Sequence, residues 1–236
     1  MKTHLKNLLK GVSAVFFTAI SFSSCLKENK SATVPPVAMV TFVQASPDEP
    51  VIDFYLDNNK IPAGPISYGN NIDYFQAYIG KRTAYFYNTG TTTKIFSDTV
   101  TFNQNFAYSL FLANKPSSPE LVVLNDSISK PDAGHASIRF INLSPDAPSV
   151  DLVAKAGSVM VANKSYKGHS SFLPIAGDKN YTLEVHRAGT NTVLATLPGL
   201  KLNSGFVYTV WFHGLATPAN ANDGLAVDIL TNAYYY

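Results

Sequence analysis

Cysteine is almost missing from this chain: one residue in 236, Cys25. No intrachain disulfide can form, and no Cys-x-x-Cys pair exists to hold zinc or exchange thiols. Charge is sparse, at 14% Asp, Glu, Lys and Arg. There is no basic patch and no basic helix, which argues against a nucleic-acid partner. The five histidines show no His-x-His or His-Glu-x-x-His spacing, so no metal is expected. A phosphate loop, a dinucleotide fingerprint and a Gly-x-Ser-x-Gly nucleophile elbow are all lacking, so no cofactor and no catalytic residue is expected. Beyond residue 24 no stretch keeps an apolar period of 3.6, which excludes a helical architecture.

The first 24 residues differ from the rest. Met1–Lys10 carries Lys2, Lys6 and Lys10 and no acid, and Gly11–Phe22 is an apolar run broken only by Ser13, Thr18 and Ser21. A basic start followed by a short apolar core is the pattern of a secretory signal, and the run is too short for a spanning helix of about 20 apolar residues. It ends in Phe22-Ser23-Ser24-Cys25, small residues directly before the single cysteine. This resembles the lipobox of bacterial lipoproteins. The resemblance implies cleavage before Cys25, acylation of that residue, and a membrane partner through the lipid anchor. Leu26 follows, not Asp, so the inner-membrane retention signal of enterobacterial lipoproteins is missing and an outer-membrane address is expected. Residues 25–36, ending in Pro35-Pro36, read as a lipidated tether.

Removing residues 1–24 changes the charge. The whole chain has 18 Lys+Arg against 16 Asp+Glu. Without the three leader lysines, fifteen basic face sixteen acidic side chains, a net charge of −1. Thirteen Tyr and fifteen Phe suit a β-protein with aromatic faces.

Self-comparison organises the remainder. Val40–Asp53, containing Ser46-Pro47-Asp48-Glu49-Pro50, matches Ile138–Asp151, containing Ser144-Pro145-Asp146-Ala147-Pro148, at an offset of 98. Tyr68 falls on Tyr166, Gly90-Thr91 on Gly189-Thr190, and Phe106–Leu110 on Phe206–Val210. The order holds from end to end, so a whole domain is duplicated: 37–126 and 136–236, joined by a polar linker over 127–135. Each copy holds short runs rich in Val, Ile, Thr, Tyr and Phe between Gly, Pro, Asn and Asp, which read as strands of a two-sheet sandwich. In Tyr181–Val185 the alternation puts Tyr181, Leu183 and Val185 on one face and Thr182 and Glu184 on the other.

The repeated motif reads as turn chemistry. Pro47 and Pro145 fix φ for a turn, Asp48 and Asp146 can accept nearby backbone N–H groups, and Pro50 and Pro148 favour an extended entry to the next strand. Asp53 and Asp151 close each motif. Calcium is the alternative use of these carboxylates, but it wants six to eight oxygens and the repeated aspartates supply only two carboxylates per copy. Ser-Pro-Asp-Ala-Pro with Val150-Asp151, the Gly189-Thr190 turn and the Gly205–Thr209 strand resemble the DUF4397 family. That resemblance covers both copies and implies tandem Ig-like or transthyretin-like β-sandwiches without an established activity.

His169-Ser170-Ser171 places a base beside a hydroxyl, but neighbours on a strand face opposite ways. Aromatics are the remaining signal. Phe86 must face opposite to Tyr85 and Tyr87, so one set is core and the other exposed. Tyr74, Tyr85 and Tyr87 are the candidate ligand-binding rings. The expectation is a non-catalytic envelope module that binds a glycan or another envelope protein, with a structural spacer or accessory subunit as the alternative and an unrecognised hydrolase as the third reading.

Overall fold

The computed structural model describes residues 35–62, 64–155 and 157–236. Cys25 and the leader lie outside the described residues. The described body is all-β apart from one 3-10 turn, Ala221–Asp223. The first copy forms β1 (Val37–Gln44), β2 (Ile52–Leu56), β3 (Asn59–Lys60), β4 (Asn71–Tyr78), β5 (Gly80–Asn88), β6 (Lys94–Phe102), β7 (Ala107–Ala113) and β8 (Glu120–Asn125). The second forms β9 (His135–Asn142), β10 (Val150–Ala154), β11 (Val159–Lys164), β12 (Leu173–Ala176), β13 (Lys179–Arg187), β14 (Val193–Leu202), β15 (Phe206–His213) and β16 (Ala226–Tyr234).

Each copy is a sandwich of two four-stranded sheets. The first has the orders β4-β1-β7-β8 and β3-β2-β5-β6; the second repeats them as β12-β9-β15-β16 and β11-β10-β13-β14. In each module the first strand runs parallel to the seventh, with equivalent register: Val40 opposite Tyr108, and Ile138 opposite Tyr208. The internal cores are also equivalent. Phe42, Phe54 and Phe86 stack in module one, with ring centroids 4.6–5.5 Å apart. Phe140, Leu152 and Val185 occupy the second core. Leu183 and Val185 are inside, as the alternation requires, and Glu184 is on the outer face.

Several strands had no clear sequence signal. β4 alternates exposed and half-buried residues at a sheet edge, and β11 and β12 are short edge strands. Edge strands carry little apolar burial, so their composition is that of loops.

The central strands are apolar on both faces for a reason visible only in three dimensions. Val40 and Phe42 point into module one's core, whereas Val43 and Ala45 join a third cluster. That cluster contains Phe111, Val122 and Leu124 from module one and Ile141, Leu143, Trp211 and Leu230 from module two. The repeat register makes many of these residues equivalents: Val43 with Ile141, Ala45 with Leu143, Phe111 with Trp211, Leu124 with Leu230. The two modules therefore meet through the same face, as in an isologous dimer. Trp211, the single tryptophan, lies in this junction at 2% exposure and stacks on His213 with centroids 4.0 Å apart.

A buried polar network sits among the apolar groups. Arg139 Nη2 lies 2.7 Å from Asp126 Oδ1, with both side chains almost fully buried. The approach is off the hydrogen-bonding axis, since that oxygen accepts no hydrogen bond; attraction between the charges holds it. Asp126 Oδ2 accepts from Ser109 Oγ (2.8 Å) and from the Tyr74 hydroxyl. Arg139 donates to Thr209 Oγ1 (2.8 Å), and Thr209 donates to Asn232 (2.6 Å), whose amide returns to Tyr74 (2.9 Å). Burial, then the Asp126 charge, pushes the Tyr74 phenol well above its usual range, so it stays a donor.

Candidate functional site

The repeated motif holds turns and the module seam. Asp53 Oδ2 accepts from the Gly90 N–H (3.1 Å) and pairs with Lys60 Nζ (2.8 Å). Its counterpart Asp151 accepts from the Gly189 N–H (2.9 Å) and the Asn163 N–H (2.7 Å). The motif aspartate therefore clamps the distant Gly-Thr turn in both modules. Both turn glycines have φ near +70°, a conformation that L side chains rarely adopt. Ser46 Oγ donates to Asn114 O (2.5 Å) and Ser144 Oγ to Gly214 O (2.7 Å), which ties each Ser-Pro-Asp turn to the end of its seventh strand. Pro47 and Pro145 lie inside these turns, and their following acids cross the seam. The Asp48 N–H donates to Asp223 (3.1 Å), and Asp146 lies 3.6 Å from Lys115 Nζ.

In the His169-Ser170-Ser171 run, His169 Nδ1 lies 3.4 Å from Lys167 O. Ser170 Oγ accepts from Phe140 N–H (3.0 Å) and donates to Ser171 O (2.7 Å). His213 lies between Tyr68 O (2.6 Å from Nδ1) and Asp228 Oδ2 (3.0 Å from Nε2). Burial and the acids Asp223, Asp228 and Asp48 push the Tyr68 phenol far up, so Tyr68 donates and does not ionise. His213 is 3% exposed while the Asp228 side chain is half exposed, and the Tyr68–His213 bond links the modules.

The aromatic expectation splits in two. Tyr74 lies on β4, and its hydroxyl belongs to the junction network, away from the other candidates. Sequence proximity grouped it wrongly, because β4 and β5 belong to different sheets. Tyr85 and Tyr87 share a face, with Phe86 between them wholly buried in the core. They meet a third ring that sequence reasoning missed. Tyr55 on β2 is the cross-strand partner of Tyr85. Tyr55 and Tyr87 are edge to face at 5.4 Å, and Tyr85 and Tyr87 are 6.3 Å apart at 30°.

These three half-buried rings line an open groove of about 500 Å³ with Asp57, Asn58, Thr91 and Thr92 on its rim. None of the three phenols makes a hydrogen bond among the described residues. Lys94 Nζ stands 5.9 Å from the Tyr85 centroid. Asp57 is fixed by accepting from the Thr83 N–H at 2.9 Å. Apolar ring faces beside free hydroxyls and a polar rim suit an amphipathic, hydroxyl-rich ligand. Module two has no such surface: by register Val153, Glu184 and His186 replace Tyr55, Tyr85 and Tyr87. Glu184 there bonds His186 (2.9 Å) and approaches Lys155 (3.8 Å).

Residues 38–153 match the model of a domain of unknown function, DUF4397. The match runs from β1 through module one and ends in β10. No curated protein matches the sequence. Among solved structures, the chain is similar to a family 26 carbohydrate-binding module from Eubacterium rectale Amy13K in complex with maltoheptaose, at 10% identity, covering 84% of this chain and 97% of that one, with a TM-score of 0.27. Family 41 carbohydrate-binding modules from streptococcal virulence factors match at 10% identity, 75% and 92% coverage and a TM-score of 0.25. The fimbrial anchor protein Mfa2 from Porphyromonas gingivalis matches at 10%, 86% and 100%, with a TM-score of 0.24. These scores fall well short of a shared fold, so the site rests on this chain's own geometry.

Proposed function

Residues 38–153 belong to the DUF4397 family, and from that premise we propose that the chain is a non-catalytic, lipid-anchored module of the cell envelope that binds glycan in the Tyr55–Tyr85–Tyr87 groove. The observation that carries the reading is the cluster of three half-buried rings with unbonded phenols on the outer sheet of module one. A sugar's C–H face packs on such rings while Asn58, Thr91 and Thr92 reach its hydroxyls. The anchor is Cys25, and the address is the outer membrane. Mass spectrometry of the mature protein tests that part: an unmodified Cys25 overturns it.

A glycan array on residues 31–236, which contain the whole described body, tests the binding. Binding that Tyr85→Ala or Tyr87→Ala abolishes, and Glu184→Ala leaves alone, supports the groove. No binding to any glycan, with envelope proteins co-purifying, supports the second reading: a spacer. That reading is favoured by one observation, the continuous apolar junction, which gives the modules no free hinge.

A further inference from the structure

Beyond the tyrosine groove, we propose a second ligand site at the module seam, in which Arg139 binds the carboxylate of an acidic ligand. Arg139 is 3% exposed. Its Nε and Nη2 donate to Thr209 and Ser109, and Nη2 faces Asp126. Among the described residues Nη1 makes no hydrogen bond, and it is not one of the buried unpartnered atoms, so this end of the five-donor guanidinium keeps contact with solvent. Arg139 also lines a groove of about 380 Å³, and no acidic residue lines it. Ser127, Ser129, His169 and Ser171 line the same groove. Phe172 forms a wall, its ring centroid 4.6 Å from Arg139 Cζ, which fixes the plane of the fork.

The equivalent groove across the pseudo-two-fold is an internal contrast. By the repeat offset, Thr41 replaces Arg139, Tyr74 replaces Phe172 and Asp73 replaces Ser171. That groove contains Asp73 and no cation. Only one side of the seam therefore offers an acid-free recess edged by a guanidinium, whose charge the buried Asp126 already balances. A planar carboxylate matches a guanidinium edge, and hydroxyls around it match the rest of a small polar ligand. Asp126 does not line this groove and lies 2.7 Å from Nη2, so the guanidinium is held in place before a ligand arrives.

The probe is sodium D-glucuronate titrated into ¹⁵N-labelled residues 31–236, with D-glucose as the neutral control. Saturable shifts of the Ser171 and Phe172 amides with glucuronate, and none with glucose, are expected. Arg139→Lys should abolish them by losing the planar fork. Because a buried arginine variant can fail to fold, Ser171→Trp on the rim serves as an independent block and should give the same loss. Tyr85→Ala should leave the shifts intact, which separates this site from the tyrosine groove. A galacturonate trimer and a tetrapeptide with a free or amidated C-terminus distinguish a uronic-acid polymer from a peptide end as the source of the carboxylate. No saturable shift with any carboxylate, or an equal response to glucose, overturns the proposal and leaves a recess filled by water only.

Discussion

Replacing Asp126 with Ala should be among the most destabilising single changes in this protein, although the residue stands where the sequence turns into polar linker. The side chain is wholly buried and faces an equally buried Arg139 at 2.7 Å. Its removal takes an acceptor from Ser109 and from Tyr74 and leaves a guanidinium charge uncompensated in a low-dielectric junction. Breaking a buried pair on one side costs about 3–5 kcal/mol. Removing both charges is a different perturbation, because the desolvation penalty of each disappears with it. Asp126→Leu with Arg139→Met should therefore lose less than Asp126→Ala alone, and far less than the two single changes together. Urea unfolding followed by Trp211 fluorescence measures this, since the only tryptophan lies in the junction. The wild type should unfold in one transition, because the two modules share one continuous apolar junction. A loss under about 1 kcal/mol for Asp126→Ala, or strict additivity in the double variant, would refute the idea of a coupled buried pair.

Four further outcomes follow from the same geometry. Phe86→Ala should cost about 3–5 kcal/mol by emptying the centre of the first core, whereas Tyr85→Ala one position away should cost far less; thermal denaturation compares them. Residues 31–126 expressed alone should self-associate, because Val43, Phe111, Val122 and Leu124 lose their cover; light scattering after gel filtration reads the mass, and Phe111→Asp should return it to a monomer. For Asp53, burial opposes the charge, but the Lys60 ammonium and the Gly90 N–H outweigh it and hold the carboxyl below its ordinary value. Its stabilisation is therefore complete above the ordinary carboxylate range near pH 4 and disappears as pH falls through the lowered pKa, so Asp53→Asn should flatten the acid limb of a stability–pH profile. Gly205→Ala should destabilise module two, because an added Cβ would sit 2.4 Å from Tyr235 O at φ +80°; a lowered melting temperature checks it.

The duplication, the all-β class and the alternation that sets Phe86 opposite Tyr85 and Tyr87, and Leu183 and Val185 opposite Glu184, were legible in the chain, because a strand's period of two links sequence directly to face. The Ser-Pro-Asp turns were legible too, since proline and aspartate act on their immediate neighbours. Aromatic clustering pointed to Tyr85 and Tyr87. It could not add Tyr55, which lies thirty positions away and arrives by cross-strand register, and it wrongly added Tyr74. The clamp from Asp53 to Gly90 needs the same kind of contact between distant segments.

The junction was out of reach for a deeper reason. A run such as Val40–Val43 reads as apolar on both faces whether the second face meets its own module, another module or a partner chain. Local periodicity states that a face is buried and carries no information on what buries it. Arg139 and Asp126 make the point most sharply: one lies in a strand, the other at the edge of a linker, and each alone reads as an ordinary surface charge. Only the packing of the β4-β1-β7-β8 sheet on the β12-β9-β15-β16 sheet brings the two charges together, away from water, where their attraction counts.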